Sequence, residues 1–347
     1  MAVDKFSHPS DAPARAVAFQ PKRGFAGLVM NKSNQDWFWP REEQPASSED
    51  GKKGIVAGIK RFSKTDGPGT RTTISMKGCL LHCLWCCHPE SIGFAPEVVY
   101  NPAECINCGR CATECTHGAH QMTAGKHFFD RSLCLLCLDC VEHCPQGALR
   151  IIGREMQVNE ILSLLERDRE VFEQTGGGLT LSGGEPTAQF DFSLALLQQA
   201  RRMGLHTCIK SNGFGPPVFY RELIPLVDLF IWDMKHTDNE KYESCTGVPF
   251  DFVRKNILAM DKAGKESFLR CILVDQFNSQ EDSLDGIASF CRRLNHCRGI
   301  QLIPFHCKSN YSRPEAFFWP PENGVPTDAQ FTQARDVLEH KWGLVMI

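Results

Sequence analysis

Apolar and polar positions along this chain fall into a regular beat from about residue 150 onward. Helical spacing predicts helices near 158–173, 190–203, 217–226, 250–263, 282–294 and 328–339. Short apolar runs between them predict strands at 179–182, 206–211, 229–234, 267–274 and 299–304. This alternation implies an α/β protein with a parallel sheet, which right-handed crossovers curl toward a full or partial barrel. Such sheets hold ligands at the C-terminal ends of their strands, so the residues just after each strand are the ones to inspect.

Ahead of the alternating part, 55–62 and 72–77 read as strands joined through Asp66-Gly67-Pro68-Gly69, the second running straight into Cys79. Periodicity lapses between Cys105 and Cys144, a block expected to be held by bound metal rather than by a core. Residues 1 to about 50, punctuated by five prolines and carrying Trp37-Phe38-Trp39, read as a loosely ordered extension. The expected organisation is an extension over 1–53, a body over 54–98 and 150–347, and an insert over 99–149.

Composition narrows the class. With 42% hydrophobic and 23% charged residues and a formal net charge of -3, the chain reads as soluble, with neither nucleic acid nor a membrane surface suggested as partner. No apolar run is long enough to span a bilayer and no signal core opens the chain, so the expected location is the cytoplasm.

Cysteine changes the picture most. Twelve of the 18 lie between Cys79 and Cys144 in tight spacings, which reads as metal ligation rather than a disulfide framework. The other six, Cys208, Cys245, Cys271, Cys291, Cys297 and Cys307, read as small buried hydrophobes. Cys79-x-x-x-Cys83-x-x-Cys86 puts three thiolates on one loop, leaving one iron of a four-iron cluster open to another ligand. A zinc site completed by Cys87, His82 or His88 is the competing reading. Cys105-x-x-Cys108-x-x-Cys111-x-x-x-Cys115 and Cys134-x-x-Cys137-x-x-Cys140-x-x-x-Cys144-Pro145 are two copies of the bacterial ferredoxin run; a pair of zinc sites competes weakly with it. In two-cluster ferredoxins the fourth cysteine crosses over, which would group Cys105, Cys108, Cys111 and Cys144 against Cys134, Cys137, Cys140 and Cys115.

These residues resemble the radical S-adenosylmethionine (SAM) activating enzymes of glycyl radical enzymes, the pyruvate formate-lyase activating enzyme-like group, in the subgroup with a ferredoxin-like insert. The resemblance runs from about Gly54 to the C-terminus. Its marks, in order, are Asp66-Gly67-Pro68-Gly69-Thr70-Arg71, the Cys79 group with Pro89-Glu90, the paired ferredoxin runs, Gly176-Gly177-Gly178 through Gly183-Gly184-Glu185-Pro186, Asp233-Met234-Lys235, and Leu302 through His306. Thr116 departs from the proline usual after the fourth cysteine, and Ser211-Asn212-Gly213 replaces the more common Asp-Thr-Ser-Gly.

The resemblance implies a partial (β/α)6 radical SAM barrel with an inserted ferredoxin-like domain for two [4Fe-4S] clusters. It implies that the cluster of Cys79, Cys83 and Cys86 reductively cleaves SAM to a 5′-deoxyadenosyl radical. That radical would abstract hydrogen from the C-terminal glycine loop of a partner glycyl radical enzyme, in anaerobic metabolism. Gly183, Gly184 and Glu185 are expected at the methionyl amine of SAM, Ser211 and Asn212 at the ribose, and Trp85 and Cys87 beside the adenine. Asp233, Met234 and Lys235 are expected at SAM, with a monovalent cation alongside, and His306 near the adenosyl group. The implied cofactors are SAM and three [4Fe-4S] clusters; the implied electron donor is a flavodoxin or ferredoxin. Two readings compete: a radical SAM enzyme acting on a small molecule or peptide, and a ferredoxin-like electron carrier. The carrier reading leaves the βα units and the Cys79 group without a purpose.

Overall fold

The computed structural model describes residues 51–306 and 324–347, together with the backbone of two short strands, β1 (Val29–Asn31) and β2 (Asp36–Phe38), which pair antiparallel. The rest of the expected extension, the Trp37-Phe38-Trp39 side chains and Cys307 lie outside the described residues. By contacts the chain divides into Met1–Pro45 and Ala46–Ile347, and everything below concerns the larger unit.

Its frame opens with β3 (Lys53–Ser63) and β4 (Arg71–Met76). The insert follows: β5 (Glu97–Tyr100), α1 (Arg110–Glu114), β6 (His120–Thr123), β7 (Lys126–Phe129), α2 (Asp139–Glu142) and β8 (Leu149–Ile152). The chain then returns through β9 (Arg154–Gln157) to α3 (Val158–Arg167), α4 (Arg169–Thr175) and β10 (Gly178–Gly183). The remaining units are α5 (Phe190–Arg202) with β11 (His206–Ser211), and α6 (Pro217–Leu223) with β12 (Leu229–Met234). Next come α7 (Asn239–Thr246), α8 (Phe250–Lys262) and β13 (Glu266–Leu273), then α9 (Glu281–Arg292), β14 (Cys297–Pro304) and α10 (Asp328–Asp336).

Eight strands form one sheet in the order β14-β13-β12-β11-β10-β4-β3-β9. Six of them, β4 and β10 to β14, run parallel and make the (β/α)6 partial barrel, while β3 and β9 add an antiparallel edge. The short Asp66–Gly69 turn explains the edge, because so brief a connection can only join antiparallel neighbours. Central strands are buried on both faces: Leu179, Thr180 and Leu181 are all inaccessible. Helix α5 supplies the matching layer, burying Phe192, Ala195, Leu196 and Ala200 at three- and four-residue spacing.

The predicted helix over 158–173 is two helices. Asp168 breaks it by turning its carboxylate into the sheet, where Arg61 Nε donates to it at 3.0 Å and Thr72 Oγ1 at 2.6 Å. Asp66 of the glycine-rich turn is buried too. It accepts from Ser63 Oγ, Thr73 Oγ1 at 3.0 Å and Lys210 Nζ at 2.8 Å. Burial opposes its charge, yet Lys210 and the hydroxyls outweigh burial and hold the carboxyl well below the usual carboxylate range. Arg71 donates to the carbonyls of Pro68, Leu179 and His206, tying three strands together.

In the insert, β5 pairs antiparallel with β8 and β6 with β7. Buried Lys77 at the end of β4 donates to Glu97 Oε1 at 2.6 Å, and Glu97 Oε2 accepts from Arg131, so one carboxylate joins barrel and insert. Among the described residues no helix is long and apolar enough to cross a membrane.

Candidate functional site

A cavity of about 760 Å³ opens at the C-terminal ends of the parallel strands. Its walls come largely from strand ends and the loops after them: the cysteine loop after β4, Gly183-Gly184 at the end of β10, Asn212 after β11, and Asp233-Met234-Lys235 at the end of β12. Cys79, Cys83 and Cys86 all line it, as do Trp85 and Cys87.

Backbone hydrogen bonds fix the cysteine loop at both ends. Gly78 N–H donates to Ser91 O at 2.8 Å and Cys79 N–H to Ile92 O at 3.0 Å. His82 N–H and Leu84 N–H donate to Thr246 O and Cys245 O, the last carbonyls of α7. Trp85 is buried against Phe277 with ring centroids 4.4 Å apart. The sequence pattern missed α7, whose apolar periodicity is weak, although its ends are signalled. Asp238 accepts from Lys241 N–H as an N-cap, and Gly247 turns left-handed at φ 82° beyond its C-terminus.

Glycines 183 and 184 are required by the chain itself. A Cβ on Gly184 would sit 2.2 Å from Gly78 O, and one on Gly183, at φ 111°, would sit 2.2 Å from Met76 N. The pair therefore lets β10 close on the base of the cysteine loop, where Gly184 N–H donates to Met76 O and Glu185 N–H to Gly78 O.

The structure does not bring Glu185, Ser211 or His306 into the lining. Glu185 is fully buried behind it, accepting from Thr187 N–H at 3.1 Å, Thr187 Oγ1 at 2.9 Å, Ser211 Oγ at 3.0 Å and Asn212 N–H at 2.8 Å. Burial raises its pKa to about 7 against those donors. Its carboxylate thus seats Asn212, whose Nδ2 reaches to 3.7 Å from Cys79 Sγ. His306 is exposed, its Nδ1 turned to Pro304 O at 3.0 Å, and its carbonyl lies 3.7 Å from Cys87 Sγ.

Electrostatics suit a cationic metal group bound by thiolates. Burial, reinforced by the neighbouring thiolates, pushes Cys86 up to about 12 and raises Cys79 well above the ordinary thiol value. Three thiolates at such close quarters need positive charge between them, which an iron–sulfur cluster provides. Burial opposes the charge of Lys235, but its electrostatic coupling to Cys83, Tyr242 and Asp233 outweighs burial and raises its pKa. Arg270, which the sequence pattern did not mark, also lines the cavity, held by Thr65 O at 3.0 Å and Gln301 Oε1 at 2.8 Å.

The insert cysteines gather in two sets. Cys105, Cys108, Cys111 and Cys144 line one cavity of about 370 Å³. Burial pushes the Cys140 thiol up to about 12, with Cys134, Cys137, Cys115 and Cys111 adding to the shift. The first cavity thus gathers three cysteines of the first run with the fourth of the second.

Comparison with known proteins completes the picture. Residues 138–285 match the Radical SAM superfamily, and residues 104–149 match a 4Fe-4S dicluster domain. An isethionate sulfite-lyase activating enzyme of Desulfovibrio desulfuricans is 37% identical over 267 residues, 74% of this chain and 85% of the relative. The chain belongs to the radical SAM activating enzymes of glycyl radical enzymes. A (2S)-3-sulfopropanediol sulfolyase activating enzyme of Bilophila wadsworthia is 39% identical over 73% of this chain and 85% of the relative. A choline trimethylamine-lyase activating enzyme of Oleidesulfovibrio alaskensis is 32% identical over 74% and 84%. As a member of this family the protein is an oxidoreductase that uses SAM and a [4Fe-4S] cluster, and its macromolecular partner is a glycyl radical enzyme. It cleaves SAM reductively to a 5′-deoxyadenosyl radical, which abstracts hydrogen from a glycine of that partner.

Proposed function

We propose that Cys79, Cys83 and Cys86 hold the cluster at which SAM is cleaved, and that the eight insert cysteines hold two further four-iron clusters. The observation that carries this reading is the convergence of three half-buried cysteines with Gly184, Asn212, Asp233 and Lys235 on one cavity. A cluster and SAM bound there would supply the chemistry, one electron passed to the sulfonium breaking its S–C5′ bond to give methionine and a 5′-deoxyadenosyl radical.

The chain's own residues bind and orient. Lys235, charged and half-buried, pairs with the methionyl carboxylate of SAM, and Asn212, fixed by Glu185, offers its amide to the ribose. Asp233 faces the same cavity and is placed to hold a monovalent cation. Trp85 and Cys87 wall the adenine side. Glu185 and Ser211 act from behind the wall as positioning residues rather than as ligands.

The insert relays electrons from a flavodoxin or ferredoxin to the site, helped by the exposure of Cys108 and Cys137. Replacing those two cysteines tests the relay: unchanged reduction of the site cluster by the protein donor would rule it out.

For the whole reading, anaerobically reconstituted protein is reduced and mixed with SAM and a glycyl radical enzyme. An isethionate sulfite-lyase or a sulfopropanediol sulfolyase is tried first, because relatives at 37% and 39% identity are named for them. A glycyl doublet in the electron paramagnetic resonance spectrum, absent in Cys83→Ala, supports the assignment. Formation of 5′-deoxyadenosine by Cys83→Ala at the wild-type rate would sink it.

A further inference from the structure

A pair of buried histidines in the insert has no part in the function above. His120 on β6 and His127 on β7 meet across the hairpin with Nδ1 and Nε2 2.9 Å apart and the rings stacked at 5.1 Å. Phe129 stacks on His120 at 4.6 Å, and Tyr100 meets His127 edge-on at 4.5 Å, so neither ring is free to turn. His127 is only 7% exposed and lines the cavity shared by Cys105, Cys108, Cys111 and Cys144. The sulfur of Cys111 and a nitrogen of each ring all lie within 4.8 Å of one another.

One atom of this arrangement is unsatisfied. Nδ1 of His127 is buried with no hydrogen-bond partner, one of three such side-chain atoms among the described residues. Leaving such an atom without a partner is destabilising. The ring that bears it lines the cavity into which the sulfurs of Cys105, Cys108, Cys111 and Cys144 are gathered. A bare lone pair at Nδ1 would be repelled by anionic sulfur, whereas an N–H would be attracted. The sulfurs therefore select the tautomer in which His127 carries its proton on Nδ1 and accepts at Nε2 from His120 Nδ1–H.

We propose that His127 donates this Nδ1–H to a sulfur of the cluster held by Cys105, Cys108, Cys111 and Cys144, raising the reduction potential of that cluster above its neighbour's, with His120 fixing the tautomer. The proposal rests on the reading that the insert holds two clusters. Hydrogen bonds to cluster sulfurs stabilise the more negative, reduced state and so raise the potential. Among the described residues Cys111 is the one insert cysteine grouped with two imidazoles in this way, which makes the two clusters unequal. The better electron acceptor is then the cluster on the β6–β7 side.

The test is a redox titration of the anaerobically reconstituted full chain, followed by electron paramagnetic resonance with iron and sulfide quantified. A Cys83→Ala background leaves only the insert clusters to titrate. His127→Phe keeps a ring and removes both nitrogens; His120→Phe leaves the His127 ring in place and frees its tautomer. With iron retained, His127→Phe should lower the potential of one component, reducing its ratio of reduced to oxidised cluster about threefold to tenfold at a fixed potential, the factor of an ordinary hydrogen bond. The other component should stay in place, and His120→Phe should shift the same component by less. Full iron with both potentials unmoved in His127→Phe would overturn the proposal. If His127→Phe loses iron, His120→Phe decides alone, and an unmoved potential there overturns it. A parent chain whose insert takes up no iron would overturn the two-cluster reading itself.

Discussion

Glu185 holds the most connected carboxylate of the site, with four donors converging on two oxygens, yet it does not itself line the cavity. Its pKa of about 7 stands above the ordinary value of 4.5 because burial penalises the charge. Between those values the folded chain keeps a proton that the unfolded chain has released. The stability this group contributes is therefore complete below pH 4.5 and lost as pH rises through 7. We expect the decline to be on the order of 3 kcal/mol. Glu185→Gln should lack this component of the slope, as read from anaerobic urea midpoints between pH 5 and 8; an unchanged slope would locate it elsewhere. Gly184 makes a sharper demand. Gly184→Ala would force its new methyl against Gly78 O, so we expect loss of the site iron and of 5′-deoxyadenosine formation while the insert stays loaded, measured by iron analysis and product assay. The cysteine sets were legible in the sequence because ligand spacing is local. The work of Glu185 was not, since Ser211 and Asn212 lie on the next strand's end and only the fold brings them near.

Helices and strands were legible where burial imposed a period. Strands β11 and β12 match their expected bounds at every residue, being runs sealed on both faces. Helix α7 escaped because most of its surface is polar, and the single α3–α4 helix was expected because a buried Asp168 is invisible to an apolar count. The antiparallel edge of β3 and β9 escaped for a related reason: pairing direction is set by connection length, and the apolar pattern alone does not carry it. Helix α7 matters to function, as its last carbonyls anchor His82 and Leu84 of the cysteine loop. Removing its N-cap with Asp238→Ala should cost about 1 kcal/mol of stability. It should also quicken iron loss from the site under a chelator, followed by absorbance, whereas iron in the insert should leave at the parent rate. Equal acceleration at all sites would mean that the loop does not depend on α7.

Across the whole molecule, barrel and insert share one compact unit and one carboxylate, Glu97. The two-stranded ladder of the insert runs from Glu97 opposite Ile152 to Tyr100 opposite Leu149, and Asn101 N–H still reaches Ala148 O at 2.8 Å. The chain thus leaves the barrel and comes back at the same point. Everything between hangs from it as one very long hairpin loop, and lengthening such a loop adds little entropic cost, about 0.6 kcal/mol per doubling. The geometry makes the insert a removable cartridge: Asn101 can be joined to Ala148 through an Asn-Gly turn of the kind antiparallel ladders favour. The shortened protein should still make 5′-deoxyadenosine with a chemical reductant and fail with a protein donor, assayed side by side. A lineage could therefore have gained or shed its wiring in a single splice, changing where electrons come from without disturbing where the radical is made.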